Sequence, residues 1–390
     1  MATPSISINQ QNLSQGGNAE VERRVLFIGL NQENADSAVT DTAAATIHTI
    51  GAATDLDAIL GDADSALKMQ IKAAQQNVGP NWTAYVVPLY SALGDGETGT
   101  PFSDWEAALE IALGQPNNIY PEMVVLTDAV TTAAQLAAMQ AATTNAINTW
   151  AKYITIHAPV AGNSGSTWAA YITATKAILD ANTYDRVHLV PQLMGTNLGV
   201  VIGRLCSEYV SIGDSPMRVK TGAVAGLGEI PADSDGVALE LDHLKELANA
   251  GFSVPWWYPD KDGIYWADHC SLDAEDGDFR VYENRRVIDY VSRRQRLLMI
   301  NQIGNRAFNA SASSTAYYAE HFMAPVRDAA KAVPINGEPA AGLVQEPEDG
   351  DMVITWTSTT EVVLATKVAP KNSPKKITNY ISLDLNRLEK

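Results

Sequence analysis

Short apolar runs and longer segments of helical period alternate along the first half of this chain. The run 25–29, Val-Leu-Phe-Ile-Gly, has no polar position, which is the pattern of a parallel strand covered on both faces. Similar runs at 85–89, 123–126, 153–157 and 187–190 predict four more strands. Between them the spacing predicts helices over 63–77, 103–113, 131–150, 167–179 and 198–209. Gly79-Pro80 ends the first of these, and Ser103 with Glu106 forms a capping box at the second. Strands alternating with helices predict an α/β fold, a mostly parallel sheet with helices on both faces.

The pattern changes after about Gly213, where Gly222, Gly226, Gly228 and Pro231 interrupt it. A helix is expected over 238–250, ended by Gly251. Residues 254–266 read as a hairpin of two aromatic strands around a Pro-Asp-Lys-Asp-Gly turn. A long helix follows over 279–301, with Val281, Ile288, Val291 and Leu298 at helical spacing. Another helix is expected over 316–330, then paired strands at 353–357 and 361–367. This half is α+β.

The two ends carry strand patterns on polar leads. Ile377, Ile381, Leu383 and Leu385 share one face, Thr378, Tyr380, Ser382 and Asp384 the other, and Asn379 is the one polar break. The preceding 369–376, rich in Pro and Lys, reads as a tether. At the other end Ile6 and Ile8 alternate with Ser5, Ser7 and Asn9 within a polar arm. A lone strand cannot satisfy its backbone, so each must join a sheet, either its own subunit's or a neighbour's. The expected layout is an N-terminal arm over 1–20, an α/β outer domain over 21–234, an α+β inner domain over 235–367 and a C-terminal arm over 368–390.

With 390 residues and 46% hydrophobic content, the chain can bury two or three cores. It has no apolar run long enough to span a membrane, and its first residues lack the basic and apolar regions of a secretory signal. The net charge of -18 disfavours nucleic acid and anionic lipid as partners. The charge is uneven. Residues 280–306 hold seven arginines against two acids, and 366–390 hold six basic residues against two acids. Basic segments in an acidic chain suit self-association, and equally suit solvated faces. Arg285, Arg286, Arg293 and Arg294 are the candidates for a basic face toward another subunit or a partner.

Chemistry is thinly represented. Gly162 to Thr167 sits where a phosphate loop belongs but lacks its lysine and glycine spacing, so a helix-capping turn is expected. Asp273 to Asp278 resembles a calcium loop with its glycine out of place, and reads as an acidic turn before the next helix. No histidine pair has metal-ligand spacing, and Cys206 and Cys270 read as small core residues. Trp256, Trp257, Tyr258, Tyr265 and Trp266 could stack on a ligand, but strand aromatics more often pack under helices. The best enzymatic lead is His157 with His188, on adjacent candidate strands, as in an α/β hydrolase-like enzyme of the cytosol.

Three stretches resemble the contractile tail sheath proteins of bacteriophages, of the short type found in Mu- and P2-like phages and in phage-derived contractile injection particles. They are 263–272, Gly-Ile-Tyr-Trp-Ala-Asp-His-Cys-Ser-Leu; 279–291, where Arg285, Arg286 and Tyr290 fall in step with the family's arginine-rich helix; and the closing strand 376–385. In the first stretch Asp268-His269-Cys270-Ser271 departs from the family's Gly-Ala-Arg-Thr. The resemblance implies a virion protein, made in the bacterial host's cytoplasm, that stacks as hexameric rings around a tail tube protein. It implies baseplate and tail terminator proteins as further partners, terminal strands exchanged between subunits, contraction by rearrangement of domain interfaces, and neither enzyme activity nor a cofactor.

Overall fold

The computed structural model describes residues 21–31, 46–89, 105–335 and 338–383. Ile6, Ile8, Leu385 and Ser103 lie outside them. A six-stranded sheet carries the first half of the chain, in the order β2-β3-β1-β4-β5-β6. Its strands are β1 (Val25–Leu30), β2 (His48–Gly51), β3 (Thr83–Leu89), β4 (Met123–Leu126), β5 (Thr155–Val160) and β6 (Val187–Pro191). All neighbours are parallel except β2, which lies antiparallel on β3 at one edge.

Alternation along β1 sends Leu26 and Ile28 into one core, and Val25 and Phe27 into the other. The first core is roofed by α3 (Trp105–Leu113), α4 (Ala133–Trp150) and α5 (Trp168–Lys176). The second is closed by α1 (Asp57–Leu60), α2 (Ala66–Gln75) and α6 (Asn197–Cys206). A Cβ on Gly199 or Gly203 would meet the backbone oxygens of Gln70 and Ala74 at 2.0 and 2.5 Å, so α6 can lie this close to α2 only with glycine at both positions. Local signals set the helix starts: Ser65 caps α2, Thr132 and Gln135 form a capping box on α4, and Thr167 caps α5. The 162–167 loop is the capping turn expected of it.

The second half does not break away at 234. Helix α7 (Leu241–Asn249) packs on α5, and Leu244, Leu247, Phe252 and Val254 join the first core. The segment from Ser253 to Leu272 runs beside β6, with Ser253 N–H donating to the Leu189 carbonyl at 2.9 Å and Leu272 N–H to Val187 at 3.0 Å. It includes the hairpin of β7 (Pro255–Tyr258) and β8 (Lys261–Trp266). Packing thus continues through about 272, because the aromatic hairpin supplies apolar surface that the sheet's first core absorbs.

Helices α8 (Tyr282–Ile300) and α9 (Ala312–Ala330) then form a smaller core with Val287, Val291, Met323, Val326 and Val344. Two short hairpins complete the described fold: β9 (Val333–Ile335) with β10 (Glu338–Ala340), and β11 (Met352–Trp356) with β12 (Val362–Thr366).

Candidate assembly surfaces and a buried histidine cluster

The last described stretch carries the clearest unmet requirement. Ile377, Tyr380, Ile381 and Leu383 are 82%, 93%, 89% and 82% exposed. No described backbone hydrogen bond is made from 372 onward. An alternating apolar face therefore stands uncovered within its own subunit, with its ladder groups open to a partner.

The lead to it is not a loose tether. The Lys371 N–H donates to the Leu343 carbonyl at 3.0 Å, and Val344 bridges Pro370. The Lys375 ammonium lies 2.6 Å from Asp268 and 2.8 Å from Glu283. Composition marks Pro and Lys as linker residues; it does not show that a lysine has two carboxylates waiting for it.

A second open feature is the β11–β12 hairpin. Among the described residues it pairs only with itself, Val353 opposite Ala365 and Thr355 opposite Val363. One face rests on α9 and on Phe308, whose ring centroid is 5.3 Å from that of Trp356. The other face leaves Val353 and Val363 48% and 55% exposed. A two-stranded sheet with two free edges is marginal alone and invites further strands.

The arginines of α8 correct an expectation. Arg285, Arg286 and Arg293 do not form an outward basic face; each is buried and paired within its own chain. Arg286 reaches Glu122 at 2.6 Å, Arg293 reaches Glu22 at 2.8 Å, and Arg285 pairs with Asp185. Arg294 alone of the four is about one-third exposed, and it shares Glu22 at 2.9 Å. Asp289, on the same helix, holds Arg186 at 2.8 Å. Burial works against Glu22 as an anion, but the guanidiniums of Arg293 and Arg294 outweigh it and hold its carboxyl at about 2. These pairs fasten α8 across the ends of the sheet strands.

The histidines do come together, with a third that sequence reasoning missed. His157 and His188 are register partners on β5 and β6, and their rings stack at 4.5 Å. His269 lies 5.1 and 4.8 Å from them. All three are fully buried. His157 and His188 sit in the first half of β5 and β6, not at the carboxyl ends where an α/β site opens. A chain of hydrogen bonds runs from Tyr282 Oη through Thr155 Oγ1 to His157 Nε2, then from His157 Nδ1 to His269 Nε2 at 3.0 Å and from His269 Nδ1 to Ser253 Oγ.

The three side chains are the described group nearest to a metal-ligand set, with nitrogens within 4.8 Å of one another. The geometry does not fit an ion. His157 and His269 spend their facing nitrogens on each other, while the His188 ring lies nearly parallel over the pair, so its in-plane lone pair does not converge with theirs. A hydrogen bond links His157 and His269 instead. Burial lowers the pKa of all three, His188 to about 3, and keeps the cluster neutral. The cysteines are equally inert, both pushed up to about 12 by burial. Tyr265 and Trp266 are buried, Trp266 in the second core, and Trp256 and Trp257 pack against the first.

Comparison with known proteins extends over the whole chain. Residues 3–270 match the family model described as DUF2586, N-terminal domain, and 278–386 match DUF2586, C-terminal domain. A protein of Haemophilus phage HP1 (strain HP1c1), provisionally named tail sheath protein, is 36% identical over 404 residues, covering 99% of each chain. Among solved structures, a chain of the sheath complex of the extracellular contractile injection system PVC, in its contracted state, aligns with a TM-score of 0.58 at 12% identity, covering 99% of this chain and 98% of that one. The sheath tail protein of Listeria innocua aligns with a TM-score of 0.55 at 12% identity, covering 91% and 93%. At these identities the structural likeness is one of fold.

Proposed function

The chain belongs to the DUF2586 family and is a contractile tail sheath protein, a structural component of a phage tail or phage-tail-like particle, and on that premise we propose that its subunits are stitched together by exchanged terminal strands. The uncovered apolar face of 377–383 is the observation that carries this reading. Residues 377–385 leave their own body and add to the open β11–β12 hairpin of an adjacent copy, where their backbone finds a ladder and Ile377, Ile381 and Leu383 find cover. Ile6 and Ile8, at the other end, do similar work. Copies close into hexameric rings that stack around a tail tube protein, between a baseplate and a terminator.

Contraction then needs two kinds of contact. Main-chain ladders on short leads tolerate rotation of the bodies they join, while faces between rigid bodies have discrete alternative fits. The sheet-bearing part forms the outer body, and α8, α9 and the hairpins form the inner one. The histidine cluster, sealed and neutral, serves the core.

Deletion of 377–390 tests the exchange. It leaves Lys375 and every described core contact in place. The expected product is a folded monomer that forms no tubes in negative-stain images; tubes of normal length and abundance would refute strand exchange at this end.

A further inference from the structure

Both ends of the described chain are fastened to one helix. In its first turn α8 presents Glu283, 7% exposed, whose carboxylate lies 2.8 Å from the Lys375 ammonium. Burial pushes the Glu283 carboxyl up, and the Lys375 ammonium pulls against that. Asp268, just ahead of the helix, takes the same ammonium at 2.6 Å and is also held by Ser215 Oγ and the His269 N–H. Burial opposes charge on Lys375, but the two carboxylates outweigh it and raise its pKa. About three turns further along α8, Arg293 and Arg294 hold Glu22 at 2.8 and 2.9 Å. The charge sense is opposite at the two points. The helix itself is fixed to the sheet through Arg286 with Glu122 and Asp289 with Arg186.

Building on the strand-exchange reading, we infer that α8 is a mooring bar for both ends of the described chain: Glu22 is held on Arg293 and Arg294, Lys375 in the Asp268–Glu283 socket fixes where 377–383 starts, and Lys375 is a positioning residue for assembly. The two anchor points are about 15 Å apart along the helix and move with it as one piece. Opposite charges keep either end from seating in the other's socket. With the socket closed, the exposed strand starts beside its anchor. With it open, the chain is free back to Lys371, whose N–H is the last described backbone bond. That lengthens the free lead to Ile377 about threefold, and the effective concentration of the strand at a neighbour's edge falls about fivefold.

The test uses the full chain with spin labels at Thr378→Cys and Ala316→Cys, the second on the exposed face of α9. Lys375→Ala is expected to widen the label-to-label distance distribution about twofold and raise the protein concentration needed for tubes about fivefold. Because Lys375→Ala leaves Glu283 buried without its cation, the double variant Lys375→Ala/Glu283→Gln is measured beside it. It should match the wild type in melting temperature and Lys375→Ala in both other readouts. Unchanged distance widths, or wider distributions with tubes forming at the wild-type concentration, would overturn the mooring. If the 377–390 deletion still builds tubes, the exchange reading falls and the mooring with it. If that deletion abolishes tubes while the double variant changes nothing, the mooring alone falls.

Discussion

Arg286 and Glu122 lie 2.6 Å apart with both side chains sealed from solvent, and Lys331 and Asp328 lie 2.6 Å apart with both about two-thirds exposed. Equal distances carry unequal weight. Removing one member of a buried pair strands a charge and costs about 3–5 kcal/mol, whereas an exposed pair is worth under ~1 kcal/mol. Arg286→Met should therefore lower the urea-unfolding free energy by several kcal/mol, and Lys331→Met by less than ~0.5 kcal/mol. Similar losses from the two would show that α8 is not anchored through Arg286. Acid should find the same weak points. Glu22 sits at about 2, below its ordinary 4.5, and His188 at about 3, below its ordinary 6.5. Both are depressed, so each stabilises fully above its ordinary value and loses that contribution as pH falls. The urea midpoint should decline as pH falls below about 6.5 and steepen below about 4.5, each group adding up to ~1.4 kcal/mol per pH unit. A midpoint constant down to pH 5 would contradict burial of the histidines. The sequence displays the arginine run but not its direction, because Glu122 and Glu22 are 164 and 271 positions away from their partners. His269 was hidden for a related reason. It reaches His157 across 112 positions, from a segment with no regular period.

At the scale of elements, period was the reliable guide. The all-apolar β1 and β4, the capped α4 and the alternating β11–β12 pair fall where their patterns place them. Strand β2 was missed because it is short, lies on an edge and buries only Ile50, which leaves no alternation to read. The lead over 369–376 was misread because one backbone bridge and one lysine socket leave no trace in composition. The β11–β12 hairpin has the most exposed task. Val363 is 55% exposed in the subunit, so Val363→Asp should shift the monomer's melting free energy by no more than ~0.5 kcal/mol. If a neighbour's strand covers that face, the same change should sharply reduce tube yield. Unchanged yield would remove this face from the interface.

For the whole molecule, the α/β character of the first half was legible and the point of division was not. Leu244, Leu247 and Phe252 pack into the sheet's core, so the sheet-bearing body extends past the glycine-rich stretch that suggested its end. A body of net charge -18 gains little from long-range attraction to its own copies, so the contacts that hold a polymer must be short-range. Whether the ladders exist is settled most directly by a cryo-EM map of assembled tubes in which 377–383 can be traced. Strand exchange predicts this segment hydrogen-bonded along an edge of the β11–β12 hairpin of an adjacent copy. The same segment paired to its own subunit's hairpin, or left unpaired in the polymer, would contradict it.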